Sequence, residues 1–377
     1  MPDLYAALRQ AAQDSSAITI RAELVSASSM DGDAKQHVFP PTFVDVGHLT
    51  SPVREDGTHE YVLIDSTQSW ANRLEEVADD PSLGLPRIDV LIGTDLLSAY
   101  KLPHRVYDAI LRDSTLGDVS YRDTDLGKSL TGSRPTNATA LLRHAPTVLL
   151  FGGWDSFAGL KVGAAKWPAA LVGQILGFDA QLSRKTGVRV DPLEISIDDF
   201  QSYKAAAPGE VWTLDPAEAA KDGKGNAVTI KPSEVGHGNI PAAVAFKGAW
   251  VSRMELRASL SITRLRRYRF PVDGVSTPEA DHAATTLLVC LAVALLTERL
   301  QRGLDLRAGA ELDTRSTRWL LRSSTSPDAP LEVTLSAARA ALQSAKDAAA
   351  AAGLTFAPDV TLTAKPKLRK IVERSSS

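Results

Sequence analysis

Apolar and polar positions recur along the chain in patterns that predict both strands and helices. AITIRAELV (17–25) is β-rich with partial alternation, which predicts a first strand. In YVLIDSTQSWANRLEEVADD (61–80), Trp70, Leu74 and Val77 recur at helical spacing, with Asp65 as the candidate N-cap. DHAATTLLVCLAVALLTERL (281–300) predicts a second helix. Its uninterrupted apolar run, 287–296, falls short of the ~20 residues that cross a bilayer, so we expect a buried core helix.

The same rules predict further elements along the chain. The predicted strands are PTVLLFGG (146–153), VRVDPLEISI (188–197), VWTL (211–214), AVTI (227–230), much of AVAFKGAWVSRMELRASLSITRLRRYRFP (243–271), and RWLLRS (318–323). The predicted helices are KWPAALVGQILGF (166–178) and SAARAALQSAKDAAAAAG (336–353), the latter ending at Gly353 and followed by a strand-like segment and a basic tail.

Without the insertions, the order is strand, helix, strands, helix, strand. This order is typical of an α+β fold with a ferredoxin-like, RNA-recognition-type sheet, although other α+β orders remain open. Residues 80–145 contain helical patches and a polar stretch with no repeat period, which indicates an insertion.

Composition and charge limit the classes of protein to which the chain can belong. The chain has 377 residues, 44% hydrophobic and 23% charged, as expected for a globular protein. Its net charge of −3 means that any nucleic-acid binding must depend on a local basic surface. A single cysteine, Cys290, excludes internal disulfides and zinc sites built from several thiolates. The N-terminus lacks the pattern of a secretion signal, and we expect a cytoplasmic protein.

Arginine is concentrated between residues 253 and 269, where the single acidic residue is Glu255. Strand periodicity along SLSITRLRRYRF (259–270) places Arg264, Arg266 and Tyr268 on one face. Guanidinium groups bind phosphates in pairs of hydrogen bonds and stack on bases, so this cluster is a candidate phosphate site. A solvated basic edge strand is the alternative.

Two polar segments are further candidates. GKSLTGSR (127–134) imitates the end of a phosphate loop, but Arg122 occupies the position where that motif requires glycine. It therefore predicts either a flexible basic loop that touches a phosphate or a simple exposed loop. KPSEVGHGNIP (231–241) predicts a rigid hydrogen-bonding loop, because its glycines permit left-handed backbone angles.

Catalytic chemistry has weak support. Ser233, Glu234 and His237 have the residue types of a triad, yet residues this close in one loop cannot normally converge as nucleophile, base and orienting group. The histidines show no metal-ligand spacing, and we expect neither a cofactor nor a metal. Acid pairs that could hold magnesium occur in charged, loop-like surroundings and are better explained as solvated; they are Asp123 with Asp125, and Asp198 with Asp199.

Three stretches occur in order: IDSTQSWANRLEE (64–76), ALLRHAPTVLLFGGWDS (140–156) and KPSEVGHGNIP (231–241). A basic strand and an Ala/Leu-rich helix follow them. Together they resemble the backbone RAMP subunit (Cas-seven superfamily, Csb-one type) of type I-G, formerly I-U, CRISPR surveillance complexes. The resemblance spans roughly residues 17–325.

The resemblance implies a hand-shaped protein over residues 1–377, with an RNA-recognition-type palm. The inserted segments are a fingers-like 80–145 and a thumb-like 179–245. The C-terminal helix and basic tail, 331–377, have no role assigned by the resemblance. Whether the 231–241 loop belongs to thumb or palm stays open.

The resemblance also implies a function. Such subunits polymerise along the guide RNA and present it to target DNA without cutting it. The implied partners are the guide crRNA, the target DNA strand, further copies of the chain, the large subunit and the guide-processing subunit, with no membrane. A metal-dependent ribonuclease of the RAMP superfamily that uses loop aspartates is the alternative.

The candidate RNA-binding residues combine polar positions of the first helix, the two polar segments and the arginine cluster. They are Gln68, Asn72, Arg73, Lys128, Arg134, Lys231, Ser233, His237, Asn239, Arg253, Arg264, Arg266 and Arg267.

Overall fold

The computed structural model describes residues 3–30, 32–155, 166–193, 201–238 and 240–376. The chain divides into two compact units. The first contains residues 1–181 and 249–373, and the second contains residues 182–248 and 374–377. The second unit nearly coincides with the predicted 179–245 insertion, whose thumb-like identity stays a prediction, as do the other predicted domain boundaries.

The strands are β1 Ala17–Ser26, β2 Gln36–Val38, β3 His59–Asp65, β4 Ile88–Ile92, β5 Asp95–Ser98, β6 Ser114–Leu116, β7 Val119–Ser120, β8 Gly153–Trp154, β9 Lys166–Trp167, β10 Leu171–Arg189, β11 Ser202–Lys204, β12 Trp212–Thr213, β13 Thr229–Ile230, β14 Ile240–Val251, β15 Arg253–Ser261, β16 Leu304–Asp305, β17 Glu311–Arg322, β18 Ala329–Leu331 and β19 Val360–Ala364. The α-helices are α1 Leu4–Asp14, α2 Thr67–Ala78, α3 Ala109–Arg112, α4 Asp125–Thr131, α5 Thr139–His144, α6 Pro146–Phe151, α7 Ile262–Leu265, α8 Pro278–Gln301, α9 Leu335–Ala351 and α10 Pro366–Ser376.

The palm is an antiparallel sheet in which β17, β1, β15 and β10 lie side by side. Along the chain these strands and their helices follow the order β1, α2, β10, β15, α8, β17. This order and the strand positions are those of a ferredoxin-like fold, so the predicted α+β palm is confirmed. β3 extends the sheet by pairing with the outer side of β10.

One face of this sheet is buried beneath α2 and α8. In β1 the even-numbered residues from Ile18 to Ser26 are buried, as the alternation predicted. On β10, Gly173 leaves room for the α2 side chain Trp70, because a Cβ there would lie 2.7 Å from the indole ring. The predicted cap of α2 is wrong. Ser66 caps the helix by accepting a hydrogen bond from the Ser69 backbone N at 3.2 Å.

The long apolar helix α8 is buried, as predicted. It contacts α2 and β17 on the sheet side and also α1 and α9. Among the described residues, α8 has the length and apolar composition of a membrane span, but 83% of its most apolar window is buried inside the fold. Its position therefore matches that of a core helix covered by an outer helical layer.

Two predicted elements have the opposite secondary structure. Residues 146–151 form helix α6 and not a strand, with Pro146 in its first turn and all six residues buried. A short apolar run that is buried on all sides has no periodicity to distinguish helix from strand. Residues 166–178 contain β9 and the start of β10 and do not form a helix. β9 pairs with β8, and residues 171–178 of β10 pair in register with β15 and, from Ile175, with β3.

The predicted 80–145 insertion contributes a second sheet, with strand order β5-β4-β19-β6-β7. Its middle strand, β19, comes from the C-terminal region and pairs parallel to β4 and antiparallel to β6. The strand-like segment after the Ala-rich helix is thereby confirmed. The helix itself ends as predicted: Gly353 has φ +81°, and Leu354 N donates to Ala349 O at 2.8 Å.

The second unit contains a small sheet with strand order β12-β11-β13. β12 and β13 confirm the strands predicted within 211–214 and 227–230. Of the strand predicted over 188–197, residues 188–189 belong to β10, and the prediction is wrong for 190–193, which lie outside any strand. Residues 194–197 lie outside the described residues, as do Asp198 and Asp199.

Candidate nucleic-acid interface

The sheet face opposite α2 and α8 is here called the open face, and it carries exposed and half-buried side chains on β1, β15 and β17. Side chains alternate along a strand, so residues between buried positions project to this face. In β15 the even-numbered residues are buried and the odd-numbered residues, from Arg253 to Ser261, lie on the open face. In β1 the odd-numbered residues take the same side.

Three arginines lie side by side across the open face, one on each of three neighbouring strands. Arg21 on β1 pairs in register with Arg318 on β17 and with Arg257 on β15. Gln174 on β10 continues the line beside Arg257. Neighbouring strands are ~4.8 Å apart, and like charges directly opposite one another destabilise a sheet. These three residues, here called the arginine row, form a surface that a polyanion would stabilise.

One carboxylate contacts part of the arginine row. Glu255 accepts a hydrogen bond from Arg257 Nε at 2.6 Å, and its other oxygen lies 3.5 Å from Arg21 Nη1. Within the described part of the chain, Arg318 is exposed and has no ion-pair partner. The Arg21 and Arg257 side chains remain 56% and 38% exposed. The row therefore keeps excess positive charge that faces water.

Aromatic side chains border the arginine row on its β10 side. The guanidinium carbon of Arg253 lies 4.0 Å from the centre of the Phe178 ring, and that of Arg257 lies 4.7 Å from it. Tyr61 on β3 pairs in register with Phe178 and is partly exposed. Phe178 is itself buried, so Tyr61 is the ring of this pair that a base could stack on. Arginines beside an exposed aromatic ring can hold phosphate and stack on bases, which is the chemistry of single-stranded nucleic-acid binding. The predicted residue Arg253 belongs to this border.

The predicted strand over residues 259–270 is wrong beyond Ser261. The Ser261 hydroxyl accepts a hydrogen bond from Arg264 N at 3.3 Å and caps α7, so the chain leaves the sheet there. β15 is also an interior strand between β1 and β10, and not the edge strand of the alternative interpretation.

The side chains that follow Ser261 are largely engaged within the fold. Arg264 donates a hydrogen bond to the carbonyl oxygen of Ala169, and Arg266 donates one to that of Gln13. Arg267 is exposed. None of them belongs to the arginine row, and a role of Arg264, Arg266 or Arg267 in RNA binding stays a prediction.

The predicted residues of α2 lie away from the open face. Gln68 and Asn72 are exposed, but α2 covers the opposite face of the sheet. Arg73 was expected on the exposed side of the helix, and this is wrong. Its guanidinium donates to buried Asp65 at 3.1 Å and to the carbonyl oxygens of Asp305 and Leu306. Arg73 therefore joins α2 to the segment that follows α8.

The predicted loop 127–134 is mostly helical. α4 begins after Thr124, whose hydroxyl accepts a hydrogen bond from Gly127 N at 2.9 Å. A Cβ at Gly127 would lie 1.9 Å from the Tyr121 carbonyl oxygen, so close packing explains this glycine. Lys128 is exposed, and exposed Arg134 donates to the Thr131 and Ser133 carbonyls.

The 231–241 segment belongs to the second unit through residue 241. Pro232–Val235 form a 3-10 helix that ends at Gly236, with φ +87°. His237 lies beside Trp212, with 5.6 Å between ring centres. Lys231 is exposed and Ser233 half-buried, whereas Asn239 lies outside the described residues. RNA contact by this segment stays a prediction.

The acidic residues of the alternative hypothesis are only partly described. Asp123 and Asp125 are exposed at the start of α4. Across the described ranges, no cluster of three or more His, Cys, Asp or Glu has an arrangement that could hold a metal ion.

The arginine row was not identified from the sequence, although each strand contained a signal. Arg21 occupies a polar position of the alternating strand 17–25, and Arg318 opens the predicted strand RWLLRS. Their alignment depends on the register between strands that are distant in sequence. Periodicity within one strand does not specify that register.

The fold and the open face together define an α+β protein with a ferredoxin-like palm and a cationic sheet surface. Residues 18–182 match the model of a family described as CRISPR-associated protein GSU0053. This match confirms the predicted resemblance to CRISPR-associated proteins, over less than half of the chain.

Comparison with solved structures and with curated proteins gives no further evidence on the function of the chain. A solved chain titled "CRISPR RNA-guided surveillance complex, pre-nicking" is similar with a TM-score of 0.34 and 11% identity. That alignment covers 82% of this chain and 77% of the solved chain, and its similarity is too low to transfer a fold or a function. No curated protein matches the chain.

Proposed function

We propose that this protein is a non-catalytic, crRNA-binding backbone subunit of a type I-G CRISPR effector complex. In this role it would bind the guide in the cytoplasm and present it to a target DNA strand. Its protein partners would be further copies of itself, the large subunit and the guide-processing subunit. The family match over residues 18–182 supports the CRISPR context.

The arginine row is the observation on which RNA binding rests. Its charges repeat across three neighbouring strands, and guanidinium groups bind phosphate whatever the base sequence. Such a surface suits the sugar-phosphate backbone, which every guide sequence shares. In the free protein the like charges of the three arginines repel one another across the strands. Bound phosphate groups would reduce this repulsion, which makes the free energy of binding more favourable.

A salt titration tests this proposal. Full-length protein is mixed with fluorescein-labelled oligouridylate, and anisotropy gives the affinity at several salt concentrations. Three phosphate contacts predict that log K falls with log salt with a slope of about −2 or steeper, since each contact on a single strand contributes ~0.7. Absent or salt-insensitive binding would contradict the proposal.

The same mixture separates binding from the ribonuclease alternative. With magnesium added, we expect the labelled RNA to remain intact on a denaturing gel. Cleavage by the wild-type protein that disappears in Asp125→Ala would favour the metal-dependent ribonuclease. Asp14→Ala, which removes an exposed carboxylate at the end of α1, is the matched control.

A further inference from the structure

A cavity of about 640 Å³ lies in the first unit, and none of its lining residues belongs to the arginine row. Its walls come from three short segments around residues 103–105, 151–154 and 166–169. Phe151, Trp154 and Trp167 supply apolar surface, His104 supplies an imidazole, and Lys166 supplies an ammonium group that has no carboxylate partner among the described residues. Its size falls within the range of small-ligand sites, which span ~300–1,000 Å³. We call it the Trp154 pocket.

Trp154 presents an aromatic ring that the fold does not bury. Its side chain is 50% exposed, whereas Trp167 on the paired strand is 3% exposed. Lys166, directly opposite in register, places its Nζ 5.3 Å from the centre of the Trp154 ring. An exposed indole beside an ammonium group offers a stacking surface and a phosphate partner within one site.

Arg105, which lines the cavity, has a strained backbone conformation and a side chain held by several hydrogen bonds. Arg105 has φ +53°, a left-handed conformation that non-glycine residues seldom adopt. Glu75 fixes it through two hydrogen bonds of 2.6 and 2.7 Å, and Arg105 also donates to Gly152 O at 3.1 Å. Strained residues of this kind concentrate at ligand sites.

Gly152 gives a second constraint on the same wall. Its φ is +87°, and a Cβ there would lie 2.7 Å from the Trp167 carbonyl oxygen. The absence of a side chain at Gly152 therefore allows its backbone to pack closely against the backbone of Trp167.

The acidic groups near the cavity are neutralised by arginines. Buried Glu75 pairs with Arg105, and buried Asp155 pairs with Arg122 at 2.6 and 3.0 Å. Burial raises the pKa of Glu75, and the charge of Arg105 opposes that shift. His104 and Lys166 at the cavity wall are exposed. Lys166 is therefore the charged group that the cavity presents to a ligand.

We propose that the Trp154 pocket binds one unpaired nucleobase of the RNA, stacked on Trp154, with Lys166 beside its phosphate. This inference rests on the proposed function and adds a base-contacting site to the backbone-binding arginine row. An apolar side chain from another protein is the competing occupant, but the Lys166 ammonium group beside the ring favours a ligand that combines an aromatic ring with negative charge.

Two RNA probes test the pocket separately from the arginine row. One is a short oligouridylate and the other is an abasic strand of equal length, which has the same phosphates but no bases. We expect Trp154→Ala in the full-length protein to weaken oligouridylate binding about tenfold, the effect of losing one stacked base. Binding of the abasic strand should not change, and Trp154→Phe should retain most of the oligouridylate affinity.

Trp250→Ala is the matched control, because Trp250 is 44% exposed and lies outside the pocket. Equal oligouridylate affinity of wild type and Trp154→Ala would overturn the pocket proposal. If the wild type then still bound both probes with strong salt dependence, the proposed function would survive that result. If the wild type bound neither probe, the proposed function and the pocket would fail together.

Discussion

Replacing Arg21, Arg257 and Arg318 together by Gln is expected to lower RNA affinity about a hundredfold at moderate salt, because three phosphate contacts are lost. The slope of log K against log salt should become shallower by about 2, at ~0.7 per contact. Gln keeps a polar side chain on the open face but removes the charge. Anisotropy with labelled oligouridylate measures both quantities.

This variant should fold normally, since the three side chains lie on the exposed face of the sheet. The loss of like-charge repulsion across the strands offsets the loss of the Glu255 contacts, so the unfolding temperature should stay close to that of wild type. The matched control replaces Arg9, Arg369 and Lys370, which are exposed and lie off the palm sheet. An equal loss of affinity in this control would show that net charge, and not the arginine row, governs binding.

Removing residues 333–377 is expected to abolish folding of the first unit. The deletion removes α9, whose buried residues include Ala341 and Leu342, from its contact with α8. It also removes β19 from between β4 and β6, and with it buried Leu362. Glu298, buried on α8, loses the hydrogen bond that Arg339 donates. An exposed apolar helix and unpaired strand edges should cause aggregation.

Sedimentation velocity and circular dichroism would measure this outcome. Removal of residues 365–377 alone is the control, because it deletes only α10 and the residues beside it and leaves β19 in place. We expect this shorter deletion to remain soluble and to unfold cooperatively. Cooperative unfolding of the longer deletion near the wild-type temperature would refute a structural role for the C-terminal segment.

The sequence was sufficient to predict the palm because its elements bury one consistent face. β1 alternates, α2 has a Trp/Leu/Val stripe, and α8 is apolar enough to be a core helix. Residues 146–151 and 166–178 were mispredicted because tertiary packing determines their secondary structure. α6 is buried on all sides, and the glycines of β10 fit against α2 and the neighbouring strands, which a single sequence does not reveal.

The candidate site was predicted less well, because its geometry depends on pairing between distant strands. Arg253 was predicted and borders the arginine row, yet Arg264 and Arg266 lie beyond the N-cap Ser261 and bind main-chain carbonyls. Ser261 is a good N-cap residue, but Ile262 and Thr263 after it are β-branched and favour a strand. The end of β15 at Ser261 was therefore missed. Arg73 was predicted on the exposed side of α2, but buried Asp65 engages its guanidinium inside the fold.

Photo-crosslinking tests most directly whether RNA lies on the open face. Full-length protein is bound to an oligouridylate that contains thiouridine, irradiated and digested, and the crosslinked peptides are identified by mass spectrometry. We predict crosslinks in β3 and β15 near Tyr61 and Arg253, which are lost when the arginine row is replaced by Gln. Crosslinks confined to α2 or to the 231–238 segment, and unchanged in that variant, would contradict the account.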